Sequence, residues 1–128
     1  GVYAVIVATV YPELPVARLS AAHRVIGVLV MLAALSSWHV ACTVPPGYVT
    51  ARSVDDYRCY PYDHVLYHPG QVCSGTGLPR PPRAKFCRIS GALVSRFDHY
   101  CPWIGQAVGE ENYRFFLLFI LAHLAVFV

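Results

Sequence analysis

The hydrophobic positions of this chain fall into three segments, separated by sequence that is polar and rich in proline. Residues 25–42 form an uncharged stretch of 18 residues, which is a usual length for a membrane-spanning helix. Residues 1–11 are also uncharged but too few to span alone, so they form either the end of a truncated helix or a buried strand. The third segment, residues 115–128, begins like a membrane span and reaches the end of the chain.

This pattern predicts a membrane protein with α-helical transmembrane segments and a small irregular or short-β cytoplasmic domain between the second and third spans. Pro45, Pro46 and Gly47 end the second helix, because proline cannot continue the backbone hydrogen-bond ladder. The predicted layout is the end of a truncated transmembrane helix (1–11), a short non-cytoplasmic loop (12–24), a transmembrane helix (25–42), a cysteine-rich domain (43–112) and the start of the next transmembrane helix (113–128).

Composition and charge agree with a membrane location. The chain is 56% hydrophobic and only 13% charged, which is too apolar for an ordinary soluble domain. Eight of its ten Lys and Arg residues lie between Arg52 and Arg114. Because lysine and arginine are enriched in cytoplasmic loops, the central loop is predicted to be cytoplasmic and the protein to be a multi-pass integral membrane protein.

The basic cluster of the loop does not indicate a nucleic-acid partner. Its members are Arg80, Arg83, Lys85 and Arg88. Basic residues beside a membrane attract anionic lipid headgroups, and they would attract the phosphates of an acyl-CoA in the same way. We therefore expect a lipid bilayer as a partner of this loop.

The cysteines and turn residues of the loop predict a small domain of short strands, which needs an additional interaction to hold its shape. Five cysteines, an odd number, in a reducing compartment argue against a disulfide framework and leave free thiols or metal ligands. The stretch from Cys73 to Cys101 is rich in glycine and proline, so short strands joined by tight turns are expected.

Asp98, His99 and Cys101 carry the candidate chemistry, because they place a carboxylate, an imidazole and a thiol within four residues. The thiolate is the reactive form of cysteine. A neighbouring histidine held in one tautomer by a carboxylate can take the thiol proton. Cys101 is therefore the candidate nucleophile of an acyl transfer.

The stretch from Cys73 to Phe116 resembles the cysteine-rich domain of the DHHC protein S-acyltransferases. The matching residues keep the family's order without insertion or deletion: Arg80-Pro81-Pro82-Arg83-Ala84-Lys85, Cys87, Arg96-Phe97-Asp98-His99-Tyr100-Cys101-Pro102-Trp103, Val108-Gly109, Asn112 and Phe116. Pro46-Gly47 resembles the end of the family's Asp-Pro-Gly motif, with Pro45 in place of the acid. Asn112 is also expected to cap the third span with its side chain.

The resemblance implies a role for each reactive residue. Cys101 takes the acyl group from palmitoyl-CoA, His99 acts as the base, and Asp98 orients His99. A second transfer then passes the acyl chain to a membrane-proximal cysteine of a substrate protein. The resemblance also implies a Golgi or other endomembrane location and places Trp103 near the acyl chain.

The chain departs from the family at its zinc ligands. The family holds two zinc ions, and of the ligand positions only Cys73 and Cys87 keep a cysteine. The others are occupied by Thr76, Phe86, Ser90, Leu93, Tyr100 and Ala107. One ligand per site cannot build the tetrahedron of a structural zinc, so no metal is predicted at these positions. The chain thus resembles DHYC-type members with a degenerate zinc frame, among them ankyrin-repeat acyltransferases of yeast.

Two alternatives stay open on the sequence. Cys59, His64, His68 and Cys73 have ligand types and spacings that could hold a displaced zinc. The lost ligands also leave room for a second function: a catalytically silent, DHHC-like membrane scaffold that keeps the fold for partner binding. Retention of Asp98, His99 and Cys101 together favours the active S-palmitoyltransferase.

Overall fold

The computed structural model describes residues 2–14 and 20–126, and residues 15–19 of the predicted loop 12–24 lie outside that part. These described residues form three α-helices: α1 (Val2–Thr9), α2 (Ala22–Thr43) and α3 (Tyr113–Val126). A short 3-10 helix, Tyr11–Glu13, follows α1. Because α1 is helical, the alternative of a buried strand for the first segment is wrong.

Helix α2 is the one helix of the described residues that is long and apolar enough to cross a membrane. Only Ala34, Ser37 and Ala41 are buried in it, and most of its apolar side chains are exposed. Exposed apolar side chains around a long helix suit contact with lipid. Val44, which follows α2, is extended with ψ of 122°, as expected for a residue that precedes a proline.

Two antiparallel hairpins contain the strands of the domain between α2 and α3. In the first, β1 (Lys85–Cys87) pairs with β2 (Ala92–Val94). In the second, β3 (Tyr100–Cys101) pairs with β4 (Gln106–Ala107). These are the short strands and tight turns that the glycine and proline pattern predicts.

Close backbone packing joins the second hairpin to the loop after α2. A Cβ atom on Gly109 would clash with the Pro46 carbonyl oxygen in the loop after α2, and it would lie 2.6 Å from the Val94 side chain and 2.8 Å from the Ser95 carbonyl oxygen, so no larger residue fits there. The Ser95 amide donates to the Gly47 carbonyl at 2.9 Å. The end of α2 and the second hairpin therefore meet at a glycine.

Asn112 stands at the start of α3 but does not cap it with its side chain, so that expectation is wrong. Its Oδ1 accepts from the Gly109 amide and its Nδ2 donates to the Ala107 carbonyl, both at 2.9 Å. The side chain is fully buried. Asn112 thus fastens the end of β4 to the first turn of α3 instead of satisfying free helix amides.

Candidate active site

His99 and Cys101 are two residues apart on the β3 side of the second hairpin, so they lie on one face of it. Backbone bonds between Val108 and both Asp98 (2.9 Å) and His99 (2.7 Å) extend the ladder past β3. Because side chains alternate along a strand, Tyr100 points to the other face. The hairpin therefore separates the candidate base and nucleophile from the tyrosine between them.

His99 and Asp98 form a pair in which the carboxylate can orient the imidazole. The His99 Nδ1 lies 3.2 Å from the Asp98 Oδ2. A carboxylate only accepts hydrogen bonds, so the proton of this contact belongs to Nδ1 and leaves Nε2 as the free base. Both side chains are about half exposed, at 43% for His99 and 50% for Asp98. The structure thus brings together the predicted base and its orienting residue.

The Cys101 thiol belongs to an apolar cluster between the second hairpin and the helices. Cys101 is 4% exposed, and its cluster is formed by Ala41, Cys101, Ile104, Val108 and Phe119. Phe116 packs against this cluster, and its ring lies 5.1 Å from the His99 ring. Base and nucleophile therefore border the same aromatic side chain, although no hydrogen bond joins them among the described residues.

On the opposite face of the same hairpin, side chains pack into a small apolar cluster that stabilises the hairpin. Tyr100 and Ala107 are directly paired across β3 and β4. Ala107 is buried with Cys87 and Val94, and Tyr100 packs against them. The Tyr100 hydroxyl donates to the Gly105 carbonyl at 3.0 Å, which closes the turn of the hairpin.

Apolar packing stabilises the first hairpin as well. Phe86 and Leu93 are paired across β1 and β2. Leu93 is 1% exposed and shares a buried cluster with Cys73, Val49, Val54 and Ala84. A Cβ atom on Gly75 would meet the Phe86 ring at 2.6 Å, so this ring lies directly on the Cys73–Gly77 turn.

Each remaining cysteine of the zinc frame starts a turn that ends in a left-handed glycine. Gly77 follows Cys73 with φ of 68°, and Gly91 follows Cys87 with φ of 64°. Burial raises the pKa of the Cys73 thiol, but hydrogen bonds from Thr76 and Gly75 and the charge of Arg80 outweigh it and lower that pKa.

Cys87 has the same balance of effects. Burial of the thiol raises its pKa, whereas the adjacent Ser90 hydroxyl and the backbone amides of Ser90 and Ile89 lower it to a greater extent. Thr76 and Ser90 thus occupy the positions where the family has the second thiolate of each turn. Their hydroxyl groups hydrogen-bond to the remaining thiol of the turn.

These residues do not fit a structural zinc. At each of the two places where the family binds zinc, this chain has one thiol, one serine or threonine hydroxyl and apolar side chains. A structural zinc requires four nitrogen, sulfur or carboxylate ligands. In the ranges 2–14 and 20–126, no three His, Cys, Asp or Glu side chains are grouped to hold a metal. The displaced set of Cys59, His64, His68 and Cys73 is therefore not brought together, although the His64 and His68 ring centroids lie 6.1 Å apart.

A basic cavity of about 280 Å³ lies beside Asp98. Arg83, Lys85 and Arg96 line it, together with the carboxylates of Asp98 and Glu110. Both arginines have positive φ, 65° and 47°, which is strained for a side chain of this size. Such strain is more often held at binding sites than elsewhere.

Glu110 also lines this cavity, and Tyr60 contacts the two arginines that line it. Arg83 and Arg96 stack on the Tyr60 ring at 5.4 and 5.8 Å. The Tyr60 hydroxyl donates to Glu110 at 2.7 Å, and Arg96 pairs with the same carboxylate at 3.6 Å. The hydrogen bond to Glu110 and burial raise the pKa of Tyr60. Sequence reasoning missed Tyr60, Glu110 and Arg96, because 50 residues separate the first two in the chain.

Comparison with known proteins supports the resemblance found in the sequence. Residues 66–128 match the family model of the DHHC palmitoyltransferases. The chain is 36% identical over 115 residues to palmitoyltransferase SWF1 of Neurospora crassa, which covers 88% of this chain and 27% of that protein.

Two further relatives agree. Palmitoyltransferase swf1 of Schizosaccharomyces pombe is 36% identical over 86 residues, covering 66% of this chain and 24% of that protein. Human palmitoyltransferase ZDHHC9 is 60% identical over 52 residues, covering 41% of this chain and 14% of that protein. The chain thus spans about a quarter or less of the length of these relatives. Its motif order, its Asp98, His99 and Cys101 arrangement and these matches place the chain in the DHHC palmitoyltransferase family.

Proposed function

We propose that this protein is a protein S-palmitoyltransferase that carries the acyl group on Cys101. The observation that supports it most is the placement of His99 and Cys101 on one face of the β3–β4 hairpin, with Asp98 at the Nδ1 atom of the imidazole. This is the arrangement of nucleophile, base and orienting group that covalent acyl transfer needs.

The reaction proceeds in two thioester exchanges. The Nε2 atom of His99 takes the Cys101 proton, and the thiolate attacks the thioester carbonyl of palmitoyl-CoA. The new carbon–sulfur bond to Cys101 forms as the bond to CoA breaks, and the CoA thiolate receives the proton. A substrate cysteine then repeats the sequence at the Cys101 thioester, which frees Cys101. Each step exchanges one thioester for another, so little driving force is needed.

The basic cavity fits the phosphates of the donor. Arg83, Lys85 and Arg96 converge beside Asp98, so a polyanionic headgroup bound there would hold its thioester near the reactive face. The acyl chain would then run along the exposed apolar sides of α2 and α3, where each buried methylene contributes about 0.8 kcal/mol. Trp103, 81% exposed beside the nucleophile, would border that chain.

We place Cys101 at the cytoplasmic surface of a Golgi or other endomembrane. The layout that supports this has transmembrane segments at 1–11, 25–42 and 113–128, a non-cytoplasmic loop at 12–24 and a cytoplasmic domain at 43–112. The excess of arginine and lysine in the 43–112 domain supports its cytoplasmic orientation. Substrates would be proteins with a cysteine close to that membrane.

Acylation of the purified full-length protein tests the function. Incubation with a palmitoyl-CoA analogue should give a hydroxylamine-sensitive label that Cys101→Ser abolishes. Cys59→Ser is the matched control, because Cys59 is an exposed cysteine of the same domain. Labelling of Cys101→Ser at the wild-type level would remove Cys101 from the mechanism. Absence of any thioester on the wild-type protein would favour the silent scaffold.

A further inference from the structure

The last two turns of α2 and the nucleophile hairpin are joined by side chains that the acyl-transfer chemistry does not use. Gln106, on β4, reaches the C-terminal end of α2. Its Nε2 donates to the Ala41 carbonyl and to the Val44 carbonyl, with distances of 2.6 and 2.9 Å. Both N–H groups of the side-chain amide therefore donate hydrogen bonds to carbonyl groups at the end of the helix.

Pro45 makes the bond to the Ala41 carbonyl necessary. In an unbroken helix the Ala41 carbonyl would accept from the amide of the residue four positions later, which here is Pro45. Proline has no amide hydrogen, and Pro46 follows it. Ala41 is fully buried, so its carbonyl has no access to bulk water and needs a donor from elsewhere in the protein. Gln106 supplies that donor.

Gln106 is also the residue directly opposite Cys101. The two are paired across β3 and β4, so their side chains lie on the same face of the hairpin. Cys101 and Ala41 belong to the same buried cluster. The side-chain amide of Gln106 is hydrogen-bonded to the end of α2, and its backbone is paired with that of Cys101. Gln106 therefore connects Cys101 to the helix.

A second contact fixes the turn of the same hairpin. The Trp38 indole Nε1 donates to the Trp103 carbonyl at 3.1 Å. Trp38 and Ala41 are three residues apart, which puts them on one side of α2. The helix therefore holds the hairpin at two places, its turn through Trp38 and its second strand through Gln106, with Cys101 at the first strand between them.

We propose that Gln106 is a positioning residue for Cys101, assisted by Trp38, and that this clamp holds the thiol buried against α2 for acyl transfer. The inference rests on the proposed function, since the position matters for acyl transfer. The clamp itself can be tested without activity, because its loss should expose a thiol that is 4% accessible in the intact structure.

The test uses the purified full-length protein and three variants. Gln106→Glu keeps the side-chain shape but has no donor while it is ionised, and Gln106→Met has no donor at any pH. Trp38→Phe removes the other donor and keeps a ring. Gln71→Met, at the other glutamine of the chain, is the matched control.

Two rates are measured in each protein: formation of the Cys101 thioester with palmitoyl-CoA, and alkylation of each cysteine by N-ethylmaleimide, followed by mass spectrometry. We expect thioester formation at pH 7.5 to fall about ten- to a hundredfold in both Gln106 variants, because small displacements of a reacting group are costly. Trp38→Phe should show the same change to a smaller extent, and Gln71→Met none. Alkylation of Cys101 should become several-fold faster in the Gln106 variants.

The pH dependence separates a lost donor from general damage. Relative to the wild type at each pH, Gln106→Glu should recover as the pH falls toward 5.5, since a protonated carboxyl regains one donor, whereas Gln106→Met should not. Alkylation of the buried Cys73 and Cys87 should stay at the wild-type rate. Unchanged Cys101 alkylation in both Gln106 variants would overturn the proposal, as would equal acceleration at Cys73 and Cys87. If no thioester forms even on the wild-type protein, the proposed function fails while the alkylation rates still decide the clamp.

Discussion

Phe86 and Leu93 face each other across the first hairpin, at two positions where the resembled family has zinc ligands. Tyr100 and Ala107 do the same across the second hairpin. Each pair packs with one surviving cysteine, Cys73 in the first case and Cys87 in the second. Two small apolar clusters thus stand in the place of two metal sites, and they hold the strand that carries Cys101.

The first prediction is that this domain keeps its stability without zinc. Treatment of the purified protein with a strong chelator should leave its melting temperature unchanged, because no four-ligand site exists at the frame positions. The measurement is a thermal melt before and after dialysis, with metal analysis of both samples. A fall in melting temperature that added zinc reverses would contradict the prediction.

The second prediction concerns the cluster around Cys73. Leu93→Ala removes a side chain that is 1% exposed, so it should lower the free energy of unfolding by about 2–5 kcal/mol. Ile89→Ala is the matched control, since Ile89 is 71% exposed and should change stability by less than about 0.5 kcal/mol. Denaturant unfolding of the solubilised protein measures both. Equal effects of the two changes would show that the cluster does not stabilise the domain.

The third prediction concerns the contact between the second hairpin and the loop after α2. Gly109→Ala forces a methyl group against the Pro46 carbonyl of that loop, the Val94 side chain and the Ser95 carbonyl, and overpacking of this kind costs about 1–3 kcal/mol. Thermal melts of Gly109→Ala and of Ser74→Ala, an exposed control, would measure the difference. A variant as stable as the wild type would mean that the backbone can separate there at no cost.

The fourth prediction separates the base from its orienting group. His99→Ala should slow formation of the Cys101 thioester by about 10²–10⁴-fold, the usual contribution of a general base. Asp98→Asn should be less harmful, because an asparagine oxygen still accepts from Nδ1 but no longer stabilises the imidazolium. Single-turnover rates with palmitoyl-CoA test both, with the exposed Asp55→Asn as control. A loss in Asp98→Asn as large as that in His99→Ala would contradict this prediction and show that His99 cannot act as a base without the carboxylate.

The fifth prediction is a pH dependence from Asp63. Backbone amides of Tyr67, Val65 and Leu66 donate to its Oδ1, and these bonds, with that of Tyr67 the largest, hold the pKa of the carboxyl below its usual range. A carboxyl with a lowered folded-state pKa stabilises the protein above its unfolded pKa, and the contribution is lost as the pH falls through the folded value.

Asp63→Asn should therefore lose less stability than the wild type between pH 6 and pH 3. Denaturant unfolding at several pH values measures the difference. Identical pH profiles for the two proteins would mean that the turn after Asp63 adds nothing to stability in this range.

Much of the local structure was predictable from the sequence, because its causes are local. An uncharged run ended by two prolines gives α2, and glycine-rich turns give two short hairpins. The prediction of Cys101, His99 and Asp98 as the candidate site came from their spacing together with the family resemblance of the residues that flank them. The alternation along a strand then follows without further information.

Contacts between distant parts of the chain were not predictable in this way. The amide of Gln106 meets carbonyl groups more than 60 residues away, and nothing in the local pattern around Gln106 marks it as a helix cap. The Asn112 side chain was expected at free helix amides, whereas the close approach at Gly109 puts the Gly109 amide and the Ala107 carbonyl within its reach. Arg83 and Arg96 line one cavity, and both adopt a backbone conformation that arginine rarely takes and that no local sequence pattern indicates.

The alternation of side chains along β3 has a consequence for how such a protein can change over evolutionary time. Tyr100 and Cys101 are neighbours in sequence, yet their side chains contact different clusters on opposite sides of the hairpin. A lineage can exchange metal ligands for apolar residues on one side in small steps, while selection on the other side continues to preserve the reaction. Loss of a cofactor in such a domain does not have to pass through an inactive ancestor.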